Sequence, residues 1–243
     1  MSRDRVLILV HQRHSTPGRV GQLLEARGYT LDRRCPCIEH PLPADPRDYA
    51  AVVVFGGPMS ANDCGTLAGI RHEIDFTKRV LDADVPYLGI CLGGQILARA
   101  LGGTVEPHPE DHVEIGYTRV EPVPGAESLF EHSRFFFQWH REGFDVPPGA
   151  ELLATGTNSF PNQAFRVGDR TYGLQFHPEM TLEMIHRWNM GGGHRLNAPG
   201  AQPKRAHVKG YELFDAGIER WTNALFDRMG LHGVPVRHAE AAE

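Results

Sequence analysis

Runs of four or five apolar residues recur along the first half of the chain, separated by stretches whose apolar positions repeat every three or four residues. Val6-Leu7-Ile8-Leu9-Val10, Ala51-Val52-Val53-Val54-Phe55 and Pro86-Tyr87-Leu88-Gly89-Ile90 are such runs. Each has the length of a strand and lacks polar alternation, the pattern of a strand buried on both faces. Helical patterns are expected between them, over residues 19–27, closed by Gly28, and over 70–81, where Ile74 and Lys78 share a face. A third helix is expected over 95–101, ended by Gly102-Gly103. Buried strands alternating with helices predict an α/β fold: an open, mostly parallel sheet with helices on both faces.

Further on the pattern shortens. Strands are expected over 113–120, 134–139, 151–155, 163–167 and 172–176, with Gly168-Asp169 turning a hairpin between the last two. A helix follows over 180–188. Residues 190–210 open on Gly191-Gly192-Gly193, contain Pro199 and Pro203, and show no period, so a surface loop or lid is expected there. The helical pattern resumes over 211–229, with Leu213, Ile218, Trp221, Leu225 and Phe226 as its apolar members. Residues 232–243 are expected to fray. All of 1–243 is expected to form one domain, with its core at about 5–188.

Composition narrows the function classes. With 243 residues, 41% of them hydrophobic and 23% charged, the chain is of globular type. A net charge of −5 is not the basic footprint of a nucleic-acid binder. No apolar run approaches the roughly 20 residues that cross a bilayer. The run at 6–10 is too brief for a signal-peptide core. A cytoplasmic protein without nucleic-acid or membrane partners is therefore expected. Its four cysteines, Cys35, Cys37, Cys64 and Cys91, are then not expected to pair as disulfides.

The sharpest chemical signal is Gly89-Ile90-Cys91-Leu92-Gly93-Gly94, which follows a buried strand and opens a helix. It is a nucleophile elbow with cysteine as the nucleophile. The turn is tight, so its neighbours must lack bulk, and the positive end of the following helix favours the reactive thiolate. A cysteine nucleophile needs a base and the base needs an orienting group. Phe176-His177-Pro178-Glu179 offers both: in an extended segment His177 and Glu179 project to one side, and Pro178 places them at a strand end. Other groups carry weaker signals. Cys35-Pro36-Cys37 lacks a second pair at zinc spacing. His108-Pro109-Glu110-Asp111-His112 reads as a solvated polar loop rather than a metal site. His11, Gln12, Arg13 and His14 follow the first strand and either line a rim or simply solvate it.

Together, Phe55-Gly56-Gly57-Pro58-Met59-Ser60, residues 86–95 with Gly102-Gly103, and Tyr172-Gly173-Leu174-Gln175-Phe176-His177-Pro178-Glu179 resemble the class I, triad-type glutamine amidotransferases. They look most like stand-alone members related to the GMP synthetase glutaminase domain. The resemblance covers about residues 5–188 and implies flavodoxin-like layers. It implies that Cys91 attacks the side-chain amide of L-glutamine, that His177 moves the proton and that Glu179 holds the imidazole. A cysteinyl thioester is formed and hydrolysed to glutamate, with release of ammonia. It also implies an oxyanion hole made by the N–H groups of Gly57 and Leu92, with Gln95 and His140 beside the substrate. Neither metal nor organic cofactor is required. Relatives commonly carry Gly-Asp after the histidine of Gln138-Trp139-His140, where this chain has Arg141-Glu142, which leaves room for a γ-glutamyl conjugate as substrate. A γ-glutamyl peptidase, or a non-enzymatic regulatory subunit on the same fold, are the alternatives. No Gly-x-x-x-x-Gly-Lys-[Ser/Thr] loop and no Ser-Gly-Gly-x-Asp-Ser stretch is present. Ammonia is thus expected to pass to a separate synthetase subunit or to be released.

Overall fold

A computed structural model describes residues 4–234. Of the tail expected to fray, residues 235–243 lie outside the described residues. The first strand, β1 (Arg5–Leu9), is apolar after its first residue because helices cover both of its faces. Val6 and Ile8 face one core with residues of α1 (Gly18–Ala26). Leu7 and Leu9 face another. Next come β2 (Thr30–Arg34), β3 (Ala51–Val54) and α2 (Ala68–Asp82). β4 (Tyr87–Ile90) leads straight into α3 (Leu92–Ala100). The second half supplies β5 (Val105–Pro107), β6 (Glu114–Pro122), β7 (Phe135–His140), β8 (Glu142–Phe144), β9 (Glu151–Gly156), β10 (Asn162–Val167) and β11 (Thr171–Leu174). The chain then forms α4 (Leu182–Gly191) and α5 (Lys204–Arg228).

Nine strands form one open sheet in the order β2-β1-β3-β4-β11-β10-β9-β6-β7. From β2 to β11 every pairing is parallel, and from β11 to β7 every pairing is antiparallel. The hairpin expected at Gly168-Asp169 joins β10 to β11. β5 and β8 pair separately as a two-stranded antiparallel sheet. One face carries α2 and α3, with Ile70, Phe76, Val80, Ile96 and Leu97 packed on Leu7, Leu9, Val52 and Val54. The opposite face carries α1, α4 and α5, with Val20, Leu24, Ile185, Trp221 and Phe226 packed on Val6, Ile8, Val53 and Leu88. This is the expected α/β architecture with helices on both sides.

β2 was not expected. Its sequence, Thr30-Leu31-Asp32-Arg33-Arg34, has one strong apolar residue, because it is an edge strand paired only to β1. The stretch expected as a loop over 190–210 also differs. α4 runs on to Gly191, a 3-10 turn covers Gly193–Asn197, and α5 begins at Lys204 rather than 211. What lies between is stitched to β6. Val113 N–H donates to Pro199 O (2.9 Å) and Gln202 N–H to Ile115 O (2.9 Å). The Gln202 side chain then bonds both the N–H (3.1 Å) and the C=O (2.7 Å) of Tyr117, doing for β6 what a neighbouring strand would do.

Because β1, β3, β4 and β11 are parallel, their carboxyl ends share one edge of the sheet. α1 leaves β1 on one face and α2 leaves β3 on the other. The crevice between β1 and β3 is therefore the kind of switch point at which open α/β sheets place their sites.

Candidate active site

Cys91 is the single residue between β4 and α3, held at φ 51°, ψ −108° and 6% exposed. A non-glycine residue at positive φ is uncommon and costs on the order of 1–3 kcal/mol, so the surroundings must enforce it. They do so through the glycines. A Cβ on Gly93 would strike Val54 O, one on Gly89 would strike Gly93 O, and one on Gly94 would sit 2.6 Å from Leu174 O. α3 therefore lies directly on the backbones of β3, β4 and β11. Cys91 N–H donates to Leu174 O (2.8 Å), and Cys91 O accepts the Gln95 N–H (3.0 Å).

The segment after β11 carries His177 and Glu179, both buried. His177 N–H donates to Phe137 O (2.8 Å), which holds the segment extended against β7. The imidazole Nδ1 lies 2.7 Å from Glu179 Oε1. Burial alone would lower the His177 pKa. The Glu179 carboxylate and nearby Cys91 more than offset that, pushing it up to about 10. The ring packs edge-on against Trp188, with centroids 5.1 Å apart. Glu179 is anchored through its main chain: Arg19 N–H donates to Glu179 O (2.9 Å), and the Arg19 guanidinium to Pro178 O (3.2 Å). Arg19 also pairs with Asp215 of α5.

Gly56 reports how near the cysteine and the histidine lie. A Cβ there would be 2.8 Å from His177 Cε1 and 3.6 Å from Cys91 Cβ. One on the next residue, Gly57, would be 2.6 Å from His11 Cβ and 3.0 Å from Leu92 Cδ2. The structure thus brings Cys91, His177, Glu179, Gly57 and Leu92 together. Gln95 is buried beside them, its Nε2 donating to Glu142 O (2.9 Å) and facing Gln175 Oε1 (3.4 Å). His140 is buried too, but both ring nitrogens have protein partners, Glu142 O at 3.0 Å and Glu114 Oε2 at 3.1 Å. Glu114 also accepts from Gln163 Nε2 (2.9 Å), and Gln163 Oε1 from Gln138 Nε2 (2.6 Å), so His140 belongs to a buried polar network.

The weaker groups fall elsewhere. Burial pushes the Cys35 and Cys37 thiols up, the latter to about 12, away from the thiolate that ligates metals. In His108-Glu110-His112 the side-chain ligand atoms lie within 4.8 Å of one another. The His108 Nδ1 lone pair, however, already accepts the Glu110 N–H (3.1 Å), so Nε2 bears the hydrogen in the neutral ring. His11 departs from the rim or solvated role expected of it. It is buried and faces Glu73 of α2, a residue with no local signal in the sequence.

Comparison with known proteins fits this geometry. The model of the glutamine amidotransferase class-I family matches residues 20–186. The chain belongs to the class-I glutamine amidotransferase family. Among relatives of this chain, the glutamine amidotransferase-like protein YfeJ of Salmonella typhimurium is 29% identical over 193 residues, 74% of this chain and 78% of YfeJ. The glutamine-hydrolyzing GMP synthase of Aeropyrum pernix is 33% identical over 159 residues, 62% of this chain but 29% of the synthase. A glutamine amidotransferase of Thermotoga maritima superposes with a TM-score of 0.84 at 27% identity, covering 94% of this chain and 99% of its own. That of Methylobacillus flagellatus gives 0.85 at 29% identity, covering all of both chains. No helix among the described residues is long and apolar enough to cross a membrane.

Proposed function

We propose that this amidotransferase hydrolyses the γ-amide of L-glutamine through a Cys91 thioester. The observation that carries this reading is Cys91 held at positive φ at the head of α3, beside an imidazole whose far nitrogen is bonded to a buried carboxylate. His177 takes the Cys91 proton at Nε2, and Glu179 steadies the resulting imidazolium at Nδ1. The sulfur attacks the amide carbon, and the developing oxyanion accepts the N–H groups of Gly57 and Leu92. As the C–N bond breaks, His177 returns the proton to nitrogen and ammonia leaves. Water, deprotonated by His177, then attacks the thioester, releasing glutamate and the thiol. Every group required belongs to the chain, and no step calls for a metal or organic cofactor. Gln95 and His140 wall the substrate end, His140 fixed by Glu114. Ammonia goes to a separate synthetase subunit or to solvent, as the GMP synthase relatives suggest.

The test is glutamate release from L-glutamine and from γ-glutamyl dipeptides by the purified chain and by Cys91→Ala. Turnover by the wild-type chain, falling at least about 1,000-fold in the variant with an unchanged melting temperature, is expected. Turnover retained in Cys91→Ala rejects the thioester. Turnover restricted to the dipeptides assigns a γ-glutamyl peptidase instead.

A further inference from the structure

Behind the cysteine lies a second buried imidazole–carboxylate pair that the acyl-transfer steps do not use. His11 follows β1 by two residues, and Glu73 sits in the second turn of α2. They are 1% and 0% exposed. His11 Nε2 is 2.9 Å from Glu73 Oε2, and His11 Nδ1 is 3.2 Å from Gly56 O. A carbonyl oxygen can only accept, so Nδ1 must carry a hydrogen. On the other nitrogen one proton is shared with the carboxylate. With a hydrogen on each nitrogen the ring is an imidazolium facing the carboxylate. Burial alone would lower the His11 pKa, but Glu73 and the Gly56 carbonyl more than offset that and raise it. Glu73 accepts the Nε2 hydrogen and balances the charge of a ring that carries a second hydrogen at Nδ1 for Gly56 O.

The bond falls on a sensitive peptide. Gly56 O and the Gly57 N–H belong to one peptide unit, and the described chain has no cis peptide bonds. In a trans unit the two dipoles point opposite ways. Holding the oxygen on His11 therefore turns the Gly57 N–H away from His11. That N–H meets no acceptor among the described residues. Both flanking residues are glycines, the residue type least able to resist rotation of the peptide plane. Rotated, the unit would present a carbonyl oxygen to a developing oxyanion, replacing attraction with repulsion.

The geometry points to His11, fixed by Glu73, as the positioning residue that orients one of the two N–H donors for the oxyanion. This rests on the acyl-transfer reading above. The packing agrees with it, because a Cβ on Gly57 would meet His11 Cβ at 2.6 Å, so the ring lies directly against the peptide it holds.

Two variants and one spectrum test it. His11→Leu removes the donor. His11→Asn restores one, because its amide nitrogen reaches the place of Nδ1. With L-glutamine, His11→Leu is expected to lose about 100- to 1,000-fold in kcat, the cost of one oxyanion donor, with KM changed by less than about threefold. His11→Asn is expected to recover at least about tenfold of that loss. Capture of Cys91 by iodoacetamide should be unchanged in both, since alkylation of sulfur forms no oxyanion. A folded His11→Leu with kcat within about threefold of wild type overturns the proposal, as does an Asn variant no faster than the Leu variant. Nitrogen-15 NMR of the wild-type chain tests the proton's position even where a variant does not fold. Nδ1 of His11 should be protonated at pH 7, and a bare Nδ1 overturns the assignment. Failure of the thioester reading is seen separately, as turnover retained in Cys91→Ala.

Discussion

Gly56→Ala is the substitution whose effect follows most directly from the geometry. Its methyl would be placed 2.8 Å from His177 Cε1. Carbon atoms settle at about 3.5–4.0 Å, so roughly 0.7–1.2 Å of overlap must be relieved. The ring has little freedom, because Glu179 holds Nδ1 at 2.7 Å and Trp188 packs against it in a T-shaped contact. The alternative is retreat of the loop, which is tied to β1 by Phe55 N–H to Leu9 O (3.0 Å) and to His11 through Gly56 O. Either movement shifts the proposed base or the proposed oxyanion donor by most of an ångström. A misplacement of about 1 Å costs about 100-fold in rate, or about 2.7 kcal/mol on the barrier. Overpacking should also cost about 1–3 kcal/mol of stability, a fall of about 2–12 °C in Tm for a chain this long. Steady-state kinetics with L-glutamine and a thermal melt measure the two effects. Gly191→Ala is the control: nothing lies within 4 Å of its added carbon, and both readouts should stay at wild type. A stable Gly56→Ala with kcat within about threefold of wild type would refute the placement of Gly56 between nucleophile and base.

Other outcomes follow from the same contacts. His177→Ala should be nearly as inactive as Cys91→Ala, whereas Glu179→Gln should be milder, since its role is orientation and charge support; the reverse order in kcat would mean the roles are misassigned. The folded-state pKa of His177 is raised, so its contribution to stability is complete below about 6.5 and is lost as pH rises through about 10. Urea melts at pH 7, 9 and 11 should therefore show the advantage of wild type over His177→Gln shrinking with pH, and an advantage that grows would contradict the ion pair. Gln202→Ala removes both bonds to Tyr117 and should cost about 1–3 kcal/mol, with faster hydrogen exchange at the Tyr117 amide; unchanged exchange would mean the 190–210 segment does not secure β6.

What the sequence revealed depended on whether the burial was local. β1, β3 and β4 announce themselves because both faces are covered and every side chain is apolar. β2 is paired on one side only, and its half-buried Asp32 and Arg34 bond each other and buried Tyr49, leaving no apolar signature. The elbow was legible because its three glycines answer three backbone collisions within one turn. α3 starts earlier than its apolar pattern suggests, since its first turn is glycine pressed on strands. The 190–210 segment docks through Gln202 and main-chain groups rather than an apolar stripe, so it has no period to read. Similarly, the first two turns of α5 bury only Gly210 and His207, which bonds Asn189 of α4 at 2.7 Å, so they present no apolar stripe. His11 looked solvated because Glu73, which makes its burial tolerable, lies 62 residues away.

Arg19 holds the main chain of Pro178 and Glu179, the first of them 159 residues downstream. In parallel, β11 fills the sheet position beside β4 that the elbow needs for its Cys91 N–H bond. At about 5–20 residues per second, a ribosome needs about 8–30 s to travel from one clamp to the other. From Cys91 to His177 is 86 residues, about 4–17 s at that rate, during which a nascent chain carries the cysteine and its glycine turn without the base or the carboxylate. On the proposed acyl-transfer reading, a polypeptide truncated between residues 91 and 177 would carry the thiol without the imidazole that takes its proton. Such long-range closure raises the contact order, which slows folding.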